Sequence, residues 1–218
     1  MSGWKCSEPE MRIPCRSGYD LTNAVEEALT LDGDVCGYCF SGDRLADISG
    51  KTLEFSNCRF EHCTFSDLEV GRLCFSDCVF EKCELSNLRL TNVVFQRVRF
   101  HSCRMTGMEC LRGTLMSAVF DSCMMDYLSV SETKLDRVWL MDCRLRESLW
   151  ADVKMPRLRM ERTDLSRAQW IRTPLAGIDL STCSIGGWNI SLFDLKGARV
   201  TSAQLIELSS LLGVEIVP

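Results

Sequence analysis

Only two of the 218 residues are histidine, His62 and His101. The chain has no glycine-rich phosphate loop, no G-x-S-x-G and no H-E-x-x-H. With so few imidazoles and none of these motifs, the sequence is expected to carry no catalytic constellation, to be no enzyme and to need no cofactor. No apolar run approaches the ~20 residues of a membrane span. The first ten residues, MSGWKCSEPE, lack the apolar segment of a secretory leader. A soluble, cytoplasmic protein is expected. Strong net charge is also missing: the total is −5. Residues 1–39 hold seven acids and three bases, residues 40–200 hold 21 and 22, and residues 201–218 hold two acids and no base. A uniformly acidic or basic surface is thereby excluded.

What the chain does have is a period. From Phe40 to Val200 every fifth residue is apolar, and of these 33 positions only Gly50 lacks an apolar side chain, with Cys110 counted as apolar. The whole chain is only 46% hydrophobic, so composition does not produce the run. Five matches neither the 3.6 residues of a helix nor the 2.0 of a strand, so the chain must turn once per unit. Positions two residues before are small or apolar as well: Leu53, Cys58, Cys63, Leu68, Leu73, Cys78 and Cys83. Each unit therefore points two side chains inward. Units such as SNCRF, SDLEV and SDCVF begin with Ser followed by Asn or Asp, short polar side chains that bond nearby backbone in turns.

A longer period of 20 lies above the first. Cys63, Cys83, Cys103, Cys123 and Cys143 recur at 20, with Thr163 before Cys183; Phe40, Phe60, Phe80, Phe100 and Phe120 form a second series and Phe55, Phe75 and Phe95 a third. Like residues in like slots imply four units per coil, with coils stacked. Large residues pair with small on one face, Trp150 with Ser148 and Trp170 with Ala168, as filling a narrow interior requires.

These features resemble the pentapeptide-repeat family. The resemblance covers about residues 36–200 and implies an all-β solenoid, a right-handed quadrilateral β-helix of about eight coils and ~38 Å length. Residues 1–35 break the repeat and are expected to form an N-terminal cap, with helical character at Ala24–Leu31. Residues 201–218 are expected to form a C-terminal helix and tail. Thr201 to Gln204 fits a capping box, Leu205, Leu208 and Leu212 give a helical stripe, and Gly213 a C-cap. Val214, Glu215 and Ile216 alternate like a strand. The segment VTSAQLIELSSLLGVEI resembles the C-terminus of the loopless quinolone-resistance (Qnr-type) members. That resemblance implies a homodimer through Leu205, Leu208, Leu212, Val214 and Ile216. It also implies a DNA-mimicking rod that binds DNA gyrase or topoisomerase IV.

The coil phases sort the charges into two stripes. One stacks Glu61, Glu81, His101, Asp121 and Glu161, with Asp142 adjacent, and would face a basic partner. The other stacks Arg97, Arg137 and Arg157 beside Arg59, Arg99, Arg159 and Arg199. It supports the alternative of a scaffold docking an acidic partner, and no direct role in nucleic-acid binding is expected. Eight of the 14 cysteines fall in the inward slot two residues before the fifth and are expected to be free, buried, small hydrophobes. Cys6, Cys15, Cys36 and Cys39 lie outside those slots, and a zinc site closing the N-terminal end stays open for them.

Overall fold

The computed structural model describes residues 5–11 and 15–213. It is a parallel β-solenoid in which strand residues pair, with few exceptions, with those 20 positions on, from Val35 with Phe55 at one end to Asp179 with Arg199 at the other. One turn of chain passes four faces. Face one carries Phe40, Phe60, Phe80, Phe100, Phe120, Leu140 and Met160 in register. Face two pairs Leu45 with Phe65 and continues in single bridges from Thr64–Glu84 to Asp164–Ser184. Face three stacks Leu90, Cys110, Val130, Trp150, Trp170 and Ile190. Face four stacks Phe55, Phe75, Phe95, Leu115 and Leu135.

The corners explain the polar half of each unit. Asn57, Asp67, Asp77, Asn87 and Asn92 have φ of 51°, 50°, 54°, 59° and 54°. These left-handed conformations suit Asn and Asp, whose short side chains bond locally. Later corners place Arg97, Tyr127 and Arg137 in the same conformation, at φ 52°, 59° and 55°.

Inside, the 20-residue series become ladders. Phe60–Phe80 and Phe80–Phe100 rings stack at 4.7 and 4.6 Å, and Phe75 meets Phe80 edge-on at 5.2 Å. Ring separation thus equals strand separation. The inward cysteines are free and buried. Each thiol of Cys83, Cys103, Cys123 and Cys143 donates to the carbonyl 23 residues earlier, at 3.3–3.6 Å. Thr163, the residue that interrupts the series, keeps this pattern: its hydroxyl donates to Leu140 O and Glu161 O. The slot selects a small side chain with a donor, and Cys and Thr both qualify.

Three features depart from a uniform repeat. Gly50, the one non-apolar fifth residue, lies beneath the capping helix α1 (Leu21–Leu31). A Cβ there would lie 3.0 Å from Leu29 Cδ2, so Leu29 occupies the space. Helix α1 starts three residues before the expected segment, capped by Asp20, and buries Leu21, Ala24, Val25 and Ala28. On face four the pairing slips by one, Asp136 facing Arg157, beside Pro156, which has no N–H for the ladder. Finally, Leu192–Leu195 form a short helix, α2, inside the expected repeat region.

The C-terminal helix α3 (Ser202–Leu208) has the expected capping box between Thr201 and Gln204. Gln204 also donates through Nε2 to Leu180 O and Cys183 O, both at 2.7 Å, closing the last coil. A 3-10 turn, Ser209–Leu212, follows, and Gly213 ends it with φ 63°.

Candidate interaction surfaces

The interior of the described residues is packed with apolar side chains. An interior gap of about 40 Å³ is walled by Phe95, Phe100, Met105, Cys110, Phe120 and Trp150. A volume near that of one water with only apolar walls stays dry. Burial raises the Cys110 thiol to about 11, which keeps it protonated and inert. His62 is exposed at a corner, and His101 Nδ1 lies 3.2 Å from Asp121. Among the described residues no group of three or more His, Cys, Asp or Glu is placed to hold a metal. The four-cysteine zinc arrangement is not formed. Cys15 and Cys39 are joined as a disulfide with Cα atoms 5.4 Å apart, and the Cys6 thiol donates to Arg137 O. No helix of the described residues is long and apolar enough to cross a membrane.

The charged side chains lie on the outer faces. Residues two apart on a strand point to the same side, and this brings the two charge stripes together. Arg59 Nη1 reaches both Glu61 and Glu81, at 3.2 and 3.4 Å. Arg99 Nη2 lies 3.2 Å from Asp121. Arg159 pairs with Glu161 and lies over the Trp139 ring, 4.6 Å from its centroid. Arg162 grips Asp142 with both arms at 2.7 Å. The same holds at the neighbouring corner: Arg97 forks onto Asp77 at 2.6 Å, Arg157 forks onto Asp136 at 2.6 and 2.8 Å, and Arg137 donates to Ser117 Oγ. The Arg157 guanidinium holds the Asp136 carboxyl below its ordinary range, and Arg162 does the same for Asp142. The acidic and basic stripes thus lie side by side and neutralise each other, rather than forming separate edges. Asp77 went unremarked in the sequence, although its place 20 residues before Arg97 was a readable signal. Asp136 was hidden because Pro156 shifts its partner to an offset of 21.

Charge does separate along the length. Residues 20–70, covering α1 and the first coils, hold eleven acids and three bases, a net −8; residues 71–213 hold sixteen acids and nineteen bases, a net +3. Asp32, Asp34, Asp47, Glu54, Asp67 and Glu69 are all exposed.

The C-terminal end of the rod is apolar. Leu208 is buried against it, but Leu205 and Ile206 are 60% and 62% exposed, and Phe193 of α2 is 80% exposed. Leu205 is thus exposed at the rod end while Leu208 is buried onto the coil. Val214, Ile216 and the Leu212 side chain lie outside the described residues.

Residues 93–170 match the family model of the pentapeptide repeat region, and residues 74–107 match that of the pentapeptide repeats. No curated protein matches the chain. Among solved structures, a trypsin-treated variant of QnrB1, a plasmid-mediated fluoroquinolone resistance protein, is 17% identical with a TM-score of 0.36. The match covers 84% of this chain and 99% of that one. Full-length QnrB1 is 15% identical, TM-score 0.32, covering 84% and 100%. HetL, a pentapeptide repeat protein involved in heterocyst differentiation regulation from the cyanobacterium Nostoc, is 15% identical, TM-score 0.31, covering 77% and 83%.

Proposed function

From the premise that this is a pentapeptide-repeat protein, matched over residues 74–170, we propose that it is a non-catalytic rod that binds a type II topoisomerase, DNA gyrase or topoisomerase IV. It does so at the surface that receives duplex DNA, and quinolone protection follows from that binding. The observation that carries this reading is the lengthwise charge separation. A convex rod whose N-terminal end, helix α1 together with the first coils, holds a net −8 over residues 20–70 presents a basic saddle with the field it meets on a DNA phosphate backbone. Contact is centred on residues 20–70, Glu61 among them. It extends along Glu81, Asp121, Asp142 and Glu161, whose charges are shared with arginines and contribute less. The resemblance of the C-terminal segment to Qnr-type members supports a type II topoisomerase as that partner.

In the same proposal the rod is a homodimer. Leu205 and Ile206 on α3 form an apolar end well placed for a twofold contact. Sedimentation at micromolar concentration is expected to give about twice the 24.7 kDa chain mass. A Leu205→Glu/Ile206→Glu variant is expected to give the chain mass alone.

The functional test is gyrase supercoiling with and without a quinolone. Micromolar protein is expected to change supercoiling or restore it in the presence of the drug. No effect in either arm on gyrase or topoisomerase IV contradicts the proposal.

A further inference from the structure

The N-terminal segment Lys5–Met11 does not sit at the end of the rod. It runs along the side, across the strands. The Cys6 thiol donates to Arg137 O at 3.3 Å, Glu8 pairs with Arg99 at 3.5 Å, and the Glu10 N–H donates to Asp77 Oδ1 at 2.9 Å. From residue 137 to residue 77 is three coils, roughly 14 Å at strand spacing. From residue 6 to residue 10 an extended chain spans about 13–14 Å. The segment is thus a nearly straight strap, antiparallel to the growth of the solenoid. Its base is fixed: Cys15 is bridged to Cys39, and Arg16 N–H donates to Gly37 O at 2.9 Å.

The strap carries two acids in the sequence SEPE and covers a strip that a peptide can read. Arg99 meets Glu8 with the guanidinium it shares with Asp121, and Arg97 holds the Asp77 carboxylate in place. The Asp77 carboxylate and the Arg137 carbonyl accept donors. Val119, one coil beyond Arg99, points outward and yet is only 2% exposed. Glu8 and Glu10 of the strap are exposed, so its hold draws on its tether, through the high local concentration a short linkage gives.

We propose that Lys5–Met11 is a cis-acting occupant of a peptide-binding strip formed by Asp77, Arg97, Arg99 and the Arg137 backbone. The strip's second ligand is an extended acidic segment of a partner protein, which binds by displacing the strap. This surface lies outside the acidic first coils, and the inference does not rest on the topoisomerase reading.

The test uses the full chain. Glu8→Ala/Glu10→Pro removes the ion pair and the donated N–H without touching the coils. The probe is a fluorescein-labelled peptide of sequence SEPESEPE, followed by anisotropy. Strap position is read independently by the alkylation rate of Cys6, whose thiol is raised to about 11 by burial and by Glu8. The variant is expected to alkylate at Cys6 at least tenfold faster and to bind the peptide at least tenfold tighter than the unaltered chain. Adding Arg99→Gln, a surface change that leaves the core intact, is expected to remove that gain. An unchanged Cys6 rate, a freed strap without tighter peptide binding, or a gain insensitive to Arg99→Gln overturns the proposal.

Discussion

Ala168 and Ser148 occupy the same slot in successive coils, and their neighbours differ by one hydrogen bond. Trp150 Nε1 donates to Ser148 Oγ at 3.0 Å, and Ser148 Oγ donates to Leu145 O at 2.8 Å. Trp170 stacks on Trp150 at 4.8 Å with ring planes 1° apart, so its Nε1 points to the corresponding place. There Ala168 offers nothing, and Trp170 Nε1 is buried without a partner. A buried unsatisfied donor costs about 1–3 kcal/mol. Ala168→Ser supplies the acceptor, and the new hydroxyl can donate to Leu165 O. That carbonyl already accepts from Trp188 Nε1 at 2.6 Å and from the Ala168 N–H at 3.1 Å, so the new hydroxyl shares it as a third, weaker donor. Against the gain stands the fit of one added oxygen at a fully buried position. A net stabilisation of about 1 kcal/mol is expected, a rise of about 2–4 °C in Tm for a chain of this length. Ser148→Ala is expected to cost about 1–3 kcal/mol. Both are measured by urea and thermal denaturation followed by circular dichroism. If Ala168→Ser is destabilising while Ser148→Ala is also destabilising, the two slots are not equivalent and the reasoning fails.

Phe80→Ala empties a slot stacked on Phe60 and Phe100 and is expected to cost about 3–5 kcal/mol, whereas Phe193→Ala, at an 80% exposed position, is expected to stay within about 0.5 kcal/mol. Equal effects in denaturant melts contradict the ladder. Gly50→Phe completes the run of apolar fifth residues, yet it is expected to lose about 1–3 kcal/mol by overpacking against Leu29; a gain in Tm shows that α1 does not occupy that slot. The forked Arg157 lowers the Asp136 pKa in the folded state, below the unfolded value of about 3.9. The stabilisation is therefore complete above about pH 4 and is lost as pH falls through the folded value. Arg157→Gln is expected to flatten the fall of Tm between about pH 4 and 2; an unchanged slope rules the pair out as a contributor.

The solenoid was legible because its core repeats in one dimension. Fixed slots make Phe60, Phe80 and Phe100 equivalent, and spacing alone reveals the stack. The same logic placed the inward cysteines, since Cys83 and Thr163 satisfy the same carbonyl pattern. What spacing could not show was anything that breaks translation along the rod. Leu29 fills the Gly50 gap from a helix outside the repeat, and Cys15 reaches Cys39 from a segment without periodicity. The charge stripes were legible as positions but not as pairs. Stacking at intervals of 20 drew Glu61 to Glu81, while the contact that decides the field is Arg59 with both. The slip beside Pro156 hid Asp136 in the same way. The strap left no periodic mark, because Glu8 and Glu10 bind across coils rather than within one.

The central claim is that the rod takes the place of duplex DNA on a type II topoisomerase, and equilibrium binding to gyrase under competition tests it most directly. Labelled protein is expected to bind the enzyme at micromolar concentration and to be displaced as duplex DNA is added. Neutralising the first coils with Asp47→Asn, Glu54→Gln, Asp67→Asn and Glu69→Gln is expected to weaken binding at least tenfold. Binding that persists at saturating DNA, or that is indifferent to those four substitutions, contradicts it.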